Sequence, residues 1–445
     1  MHNHTLLIIG YVWPEPNSSA AGTRMMQLTA LFQQQNWQIV FASPAKQGAH
    51  KVDLTALGIQ EQSIELNHSS FDHFIQKLNP ACVMFDRFMM EEQFGWRIAK
   101  HLPNAIRILN TEDLHSLRAA RQNCVKQYLK RNPTSFDLSD LALTNPKTVF
   151  YQMAPTDLAK REVAAIFRCD LTLMVSEFEM ALLQTEFQVP RQQLCYLPLL
   201  YSNSHLIQNS SPPFETRQHF ISIGNFRHAP NWDAVLWLKQ TIWPTIHQQL
   251  PKAQLHIYGA YPPPKATQLH NERQGFHVLG WAENALEVMQ NARVCLAPLR
   301  FGAGMKGKLA DAMRCGTPSV TTEIGAESMQ GTFQTWGGEI SNTPHDFAVQ
   351  AVELYRSPSC WQKAQQTGFE IIQSRYMLPH NSQDHFLSQL EKIMQRLEQH
   401  RQSCFIGLML NHHHHKSTQY MAQWIEAKNA ATQPISEKGL FSSAG

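Results

Sequence analysis

The residues whose types and spacing best fit chemistry lie between Ala297 and Ser328, in APLRFGAGMKGKLADAMRCGTPSVTTEIGAES. Pro298 and Arg300 follow an apolar run, and Gly302 and Gly304 make a loop. Lys306, Lys308 and Asp311 then fall in a segment of helical period that Gly316 closes. Glycines let the backbone approach a ligand closely, and a helix N-terminus carries partial positive charge. Arg300 and a lysine add full charges beside it. This pattern predicts a cradle for a diphosphate. The bland alternatives are a solvated loop pair for Arg300 and Lys306, and for Lys308 a surface pairing with Asp311 three residues on. Trp281, directly after Gly280, either flanks a nucleobase or fills the core.

A second set of polar residues stands at the ends of apolar runs in the first half. In open parallel sheets ligands bind beyond the carboxyl ends of the strands, where helix N-termini and loop amides converge. After the run at Leu6 comes YVWPEPNSSAAGTR, small residues that enter a helix near Gly22, where bare N–H groups could meet phosphate. The loop lacks G-x-G-x-x-G, which removes support for ordinary dinucleotide binding. Asp86 and Arg87, then Asp113 and His115, then Glu177 follow later runs. Asp113 and His115 are candidates to position a sugar or acceptor, against a hydrogen-bonded structural histidine. Asp86, Arg87 and Glu177 are acceptor-side candidates, against simple helix caps.

The elements that must hold these residues read as alternating strands and helices, the signature of an α/β fold with parallel sheets. Strands are expected at Leu6–Gly10, Gln38–Ala42, Ala81–Phe85, Ala105–Leu109, Leu171–Val175 and Leu194–Leu197. After a polar stretch with Pro212 and Pro213, others are expected at Phe220–Ile223, Gln254–Tyr258, His277–Leu279, Val294–Ala297 and Ser319–Thr322. A chain of 445 residues fits two domains. The division is 1–200 for an N-terminal Rossmann-like domain, 201–217 for a linker, and 218–375 for a second Rossmann-like domain. Residues 376–400 form a helix that crosses back to the first domain, and 401–445 a polar tail with a short amphipathic piece around QYMAQWIEA.

Lys plus Arg number 38 against 35 Asp plus Glu, so no overall field favours nucleic acid. The 8 cysteines include no C-x-x-C pair, which predicts free thiols in a reducing compartment. No apolar stretch nears a membrane span, and no leader is visible, so the expectation is a cytoplasmic protein, compatible with peripheral contact at the inner membrane face. The run His412–His415 has no adjacent Cys or acid, and four successive helical positions cannot face one ion, so no metal is expected there.

The Ala297–Ser328 block resembles the donor-binding region of retaining GT-B glycosyltransferases of the family 4 kind, also called glycosyl transferases group 1. GNFRHAPNWDAVLWL (Gly224–Leu238) looks like the opening of their C-terminal domain. LNTEDLHSLRAARQ (Leu109–Gln122) and CDLTLMVSEFEMALL (Cys169–Leu183) are similar to their N-domain blocks. The resemblance implies two Rossmann-like domains facing each other across a cleft, with a nucleotide-sugar donor between them. Its diphosphate would rest on the C-domain loop. Asp311 matches the second Glu of the family's Glu-x7-Glu pattern, the ribose ligand, while Ala303 stands at the first. Asn225 and Pro230 fall near the places of the usual Arg/Lys pair, and Arg300, Lys306 and Lys308 are the replacements in view. The sequence has no Asp-x-Asp, so cationic side chains rather than a metal are expected to neutralise the leaving diphosphate.

The implied activity is retaining transfer of a hexose-like sugar, with no cofactor beyond the donor substrate. The acceptor class stays open among glycan, lipid-linked sugar, metabolite, protein and modified RNA. The rival functions are a non-catalytic nucleotide-sugar-binding scaffold and a nucleotide-sugar epimerase.

Overall fold

A computed structural model describes residues 4–132, 136–201, 211–377 and 380–432. Residues 202–210 of the expected linker lie outside the described residues, as do 433–445 of the expected tail. Two parallel sheets form, one in each half. The first contains β1 (Thr5–Ile9), β2 (Gln38–Ser43), β3 (Gln60–Ser63), β4 (Cys82–Asp86), β5 (Ile106–Asn110), β6 (Leu171–Met174) and β7 (Leu194–Tyr196). Its order is β3-β2-β1-β4-β5-β6-β7. The second contains β8 (Gln218–Ile223), β9 (Leu255–Tyr258), β10 (Phe276–Gly280), β11 (Ala292–Ala297), β12 (Ser319–Thr321) and β13 (Gly338–Ile340), in the order β10-β9-β8-β11-β12-β13.

Central strands are apolar along their whole length because helices cover both faces of a parallel sheet. TLLII of β1 and CVMFD of β4 are buried at every position. Two strands beyond the eleven expected are present. β3 is QEQS, a polar edge strand with no apolar run to betray it, and β13 has only three residues, held against Ser319 by a Gly338 at φ +141°. The helix after β8 starts at Ala229 and runs to Gln249, interrupted by a wide turn at Leu238–Ile242. Pro244 lacks an N–H and cannot close the ordinary turn there.

The sheet orders matter for function. In each sheet the chain leaves a central strand in opposite directions, between β1 and β4 in the first and between β8 and β11 in the second. Crevices open at such switch points. The segments after β1, β4, β8 and β11 therefore line one cleft between the two sheets.

The C-terminal helices return to the first domain. In the helix His380–Gln395, Phe386, Leu390 and Ile393 are buried with Leu6, Ile8 and Phe32 of the first domain. The segment from Arg401, expected as a polar tail, is instead helical as far as Thr432, in Leu397–Ser403 and Phe405–Thr432. Arg401 explains much of this: its guanidinium meets both oxygens of the buried Asp170 at 2.8 Å and donates to the carbonyl of Ala105 at 2.9 Å. The side chains of His413, His414 and His415 lie outside the described residues. No helix among the described residues is long and apolar enough to cross a membrane.

Candidate active site

The loop from Arg300 to Lys306 is pressed directly against the first domain. Gly304 sits at φ +64°, a conformation that favours glycine, and a Cβ there would come within 2.8 Å of the Asp113 Cβ. Its N–H donates to Glu179 at 2.6 Å, and the Gly302 carbonyl accepts from Arg121 at 2.8 Å. Gly307 opens the helix Gly307–Arg314 so close to Ala20 that a Cβ would meet the Ala20 Cβ at 2.6 Å. Two helix starts, one from each domain, thus abut across the cleft.

Each expected residue has a definite position. Lys306 is buried and donates to the Gly304 carbonyl at 2.8 Å, with burial lowering its pKa against the opposing pull of Glu327. Lys308 donates to Asn231 Oδ1 at 2.8 Å and lies beside Gly224, where a Cβ would meet its ammonium at 2.8 Å. Crowding between the strand ends pulls it down to about 8, although solvent still reaches it. Lys308 does not pair with Asp311. That carboxylate instead meets Arg314 at 3.0 Å and is pushed up by burial.

Arg300 lies in the cleft wall, but its donors are occupied. Nε and Nη2 bind the two oxygens of Asp233 at 2.9 and 2.6 Å, and the guanidinium stacks over Phe136 and Trp237. This neutralised, stacked arginine anchors the helix Ala229–Trp237 rather than offering a free charge. Gly22 likewise spends its N–H on the capping Ser19 at 3.1 Å, and its bare Cα faces the Glu15 carbonyl. Trp281 stacks on His50 of the first domain at 3.9 Å and 8°. Beside that stack, the Tyr261 hydroxyl lies 3.0 Å from each carboxylate oxygen of Glu15.

On the first-domain side, Asp113 pairs closely with Arg118, and its other oxygen is 3.5 Å from His115 Nε2. The His115 N–H donates to the buried Glu162 at 2.8 Å, and its ring packs edge-on to Phe88. Burial first, then the charge of Arg87, pushes the His115 imidazole down to about 4. Asp86 is buried, accepts weakly from the Tyr11 N–H, and is pushed up by desolvation. Arg87 stands at φ +71° over the Tyr11 ring. Glu177 is turned away toward Arg375 at 2.6 Å, a link between the domains.

Four residues that the sequence reading passed over complete the site. His228 follows β8; enclosure lowers its pKa first, then the charges of Arg118 and Lys308, then those of His115 and Arg87. The residue is nonetheless exposed to solvent. Glu112, at φ +62°, accepts from Asn110 at 2.6 Å and is raised by burial and then by Asp86. Arg24 is buried with Nε on Asn110 at 3.1 Å, and Glu112 is the first of the charges that offset its desolvation. The signal for His228 and Glu112 was available: both follow strands at a carboxyl edge. Arg118 and Arg24 sit a turn or more inside helices and carry no such mark.

The site therefore has Arg87 and Lys308 near the imidazoles of His115 and His228, with Arg118 matched by Asp113, at the junction of two helix N-termini. It is an anion-receptive cleft, with the carboxyls Asp86 and Glu112 on its first-domain side.

This pairing of facing parallel-sheet domains with the site between them is the GT-B fold of glycosyltransferases. Within it, residues 217–357 match the model of the family Glycosyl transferases group 1. A glycosyltransferase from Rickettsia africae superposes with a TM-score of 0.60 at 10% identity, over 89% of this chain and 100% of that one. Sucrose-phosphate synthase from Thermosynechococcus elongatus gives 0.59 at 14%, over 87% and 98%. Anabaena HepE in complex with UDP-glucose gives 0.59 at 11%, over 87% and 99%. At these identities the likeness is one of fold. No curated protein matches the chain in sequence.

Proposed function

We propose that this chain transfers a sugar from a nucleoside-diphosphate sugar to an acceptor with retention of anomeric configuration, without a metal ion. The observation that carries this reading is the start of the helix Gly307–Arg314, pressed against Ala20 of the first domain, with Lys308 in its first turn beside Gly224 and bonded to Asn231 at 2.8 Å. The leaving diphosphate rests at that helix start, where its growing charge meets Lys308 and the first-turn amides. The acceptor oxygen attacks the anomeric carbon on the face from which diphosphate departs. The C1–O bond to phosphate breaks as the new C1–O bond forms, and the acceptor proton passes to a leaving-phosphate oxygen. This sequence needs no protein nucleophile, and the His115 imidazole, whose pKa burial lowers, is suited to hold a hydroxyl rather than compete for phosphate. Asp86 and Glu112 lie on the acceptor side.

HepE was crystallised with UDP-glucose, so a UDP-sugar is the first donor to test, alongside GDP- and ADP-sugars. The experiment incubates the full chain with each donor and an acceptor panel, and follows release of nucleoside diphosphate by mass spectrometry with and without EDTA. Release with at least one donor, unchanged in EDTA and with an α-configured donor giving an α-linked product, is the expected result. Tight binding without any release overturns the enzymatic reading; loss of release in EDTA, restored by Mg²⁺ or Mn²⁺, overturns the metal-free one.

A further inference from the structure

The helix Phe405–Thr432 has an unusual distribution of side chains. Its inner face packs on the helices Phe88–His101 and Asp157–Arg168 through small or polar residues together with the half-buried Leu410. Gly407 lies so near the Phe167 carbonyl that a Cβ would meet it at 2.2 Å; Asn411 bonds Arg107, Ala422 is buried, and Glu426 accepts from the Ser69 N–H at 3.0 Å. Six other large apolar residues face solvent instead. Phe405 is 68% exposed, Tyr420 64% and Trp424 59%, with Ile406, Met409 and Met421 beside them. At 100° per residue these positions fall on one broad face about 28 Å long. Isolated exposed apolar residues are ordinary, whereas two clusters of large ones on one helix face, with the exposed Lys416 between them, mark a contact surface.

The charges on this helix identify the partner. Its only acid is Glu426, which is turned inward to Ser69. Lys416 and Lys428 are exposed, and the Lys428 ammonium lies 5.2 Å from the centre of the Trp424 ring. A second copy of the chain would bring these lysines against the same lysines, with no acid on the helix surface to answer them. An anionic lipid surface supplies the missing negative charge, and it receives Trp and Tyr at the headgroup level with Phe, Ile and Met below. We infer that this helix lies flat on anionic membrane, its exposed face in the headgroup region. The inference rests on the helix alone and is independent of the sugar-transfer reading.

The test is flotation of the full chain with vesicles of phosphatidylcholine, with and without phosphatidylglycerol, at low and high salt. Binding to the phosphatidylglycerol vesicles, weaker in salt and weaker on phosphatidylcholine alone, is expected. Trp424→Asp combined with Phe405→Ser should reduce the bound fraction about tenfold or more, with an unchanged melting midpoint and unchanged donor turnover. If that pair lowers the midpoint, Lys416→Glu with Lys428→Glu decides instead. Its loss of binding supports the inference, and retained binding overturns it. Absence of flotation at low salt also overturns it. So does a solution dimer that the Trp424 variant converts to monomer while neither form binds vesicles, which would give the face to a second copy.

Discussion

Arg121 and Glu327 come from different domains and meet as a buried, two-pronged pair, with Nη1 to Oε1 at 2.9 Å and Nη2 to Oε2 at 2.6 Å. Arg121 is fully buried, and its remaining contacts, the carbonyls of Leu143 and Gly302, tie the same guanidinium to both sides of the cleft. A buried carboxylate left without its arginine keeps its desolvation cost and loses its compensation, about 3–5 kcal/mol. Arg121→Met should therefore lower the unfolding free energy by roughly that amount. Urea denaturation measures it. A loss under about 1 kcal/mol means that the pair is screened in solution and that the domains are held mainly by packing.

Much of this architecture was legible because the central strands are buried, mostly apolar runs followed by polar residues. Lys306, Lys308 and the glycine loop were placed after a strand end by that logic. The edge strand QEQS was not, since an edge position needs no apolar run. Arg300 misled for a different reason. Its partner Asp233 is 67 residues earlier in the chain, and nothing local shows that its charge is already matched. Interdomain partners such as Arg121 with Glu327, or Gly304 with Glu179, are invisible to spacing rules for the same reason. The last helix was misjudged because much of its inner face, Gly407, Asn411, Ala422 and Glu426, is small or polar, so the helical period of apolar residues is weak there.

That misjudgement has a measurable consequence at Arg401. Asp170 is almost wholly buried, and Arg107 and Arg401 hold its carboxyl below the usual range despite desolvation. Arg107 alone is more distant, with Nε at 3.8 Å, although its backbone N–H donates at 2.9 Å. Truncation before Arg401 should lower the thermal midpoint by several degrees, and Arg401→Ala should reproduce much of that drop. Calorimetry on both forms decides. Unchanged midpoints would mean that residues from Arg401 onward are dispensable to the core.

A cluster of imidazoles on the second domain should make stability fall in mild acid. His219 stacks on His256 at 3.9 Å, His277 lies 5.5 Å from His256, and His270 lies 5.4 Å from His277. Burial pushes His219 and His256 down to about 4, with the neighbouring imidazoles adding repulsion. Their folded pKa values are below the unfolded value of about 6.5, so the unfolded chain binds more protons. Stability is retained above pH 6.5 and declines as pH falls through 4. Replacing both with Gln should flatten that decline relative to wild type, read as the difference in midpoint between pH 7 and pH 4.5. Parallel curves for the two forms would assign acid sensitivity elsewhere, since His115 and His228 are also held neutral.

The decisive comparison for the active site is Lys308→Ala against Arg300→Ala. Lys308, in the first turn of the helix Gly307–Arg314 and beside Gly224, has the neutral Asn231 as its hydrogen-bond partner among the described residues, and its charge remains available to an incoming diphosphate. Arg300 is already matched by Asp233, so its removal leaves that acid without its partner at the cleft wall. The two variants should therefore fail differently. Lys308→Ala should fold normally and lose about 100- to 1,000-fold in kcat, the cost of one preorganised charge at a developing anion, roughly 2.7–4 kcal/mol. Arg300→Ala should lower the melting midpoint more than Lys308→Ala does, and lose activity in proportion to that instability. Lys308→Arg separates charge from shape: if charge alone matters, it restores part of the turnover, whereas crowding by Gly224 predicts poor rescue through a raised KM. Near-normal kcat in Lys308→Ala would place the diphosphate away from the helix Gly307–Arg314, and the proposed chemistry at this cleft would not stand.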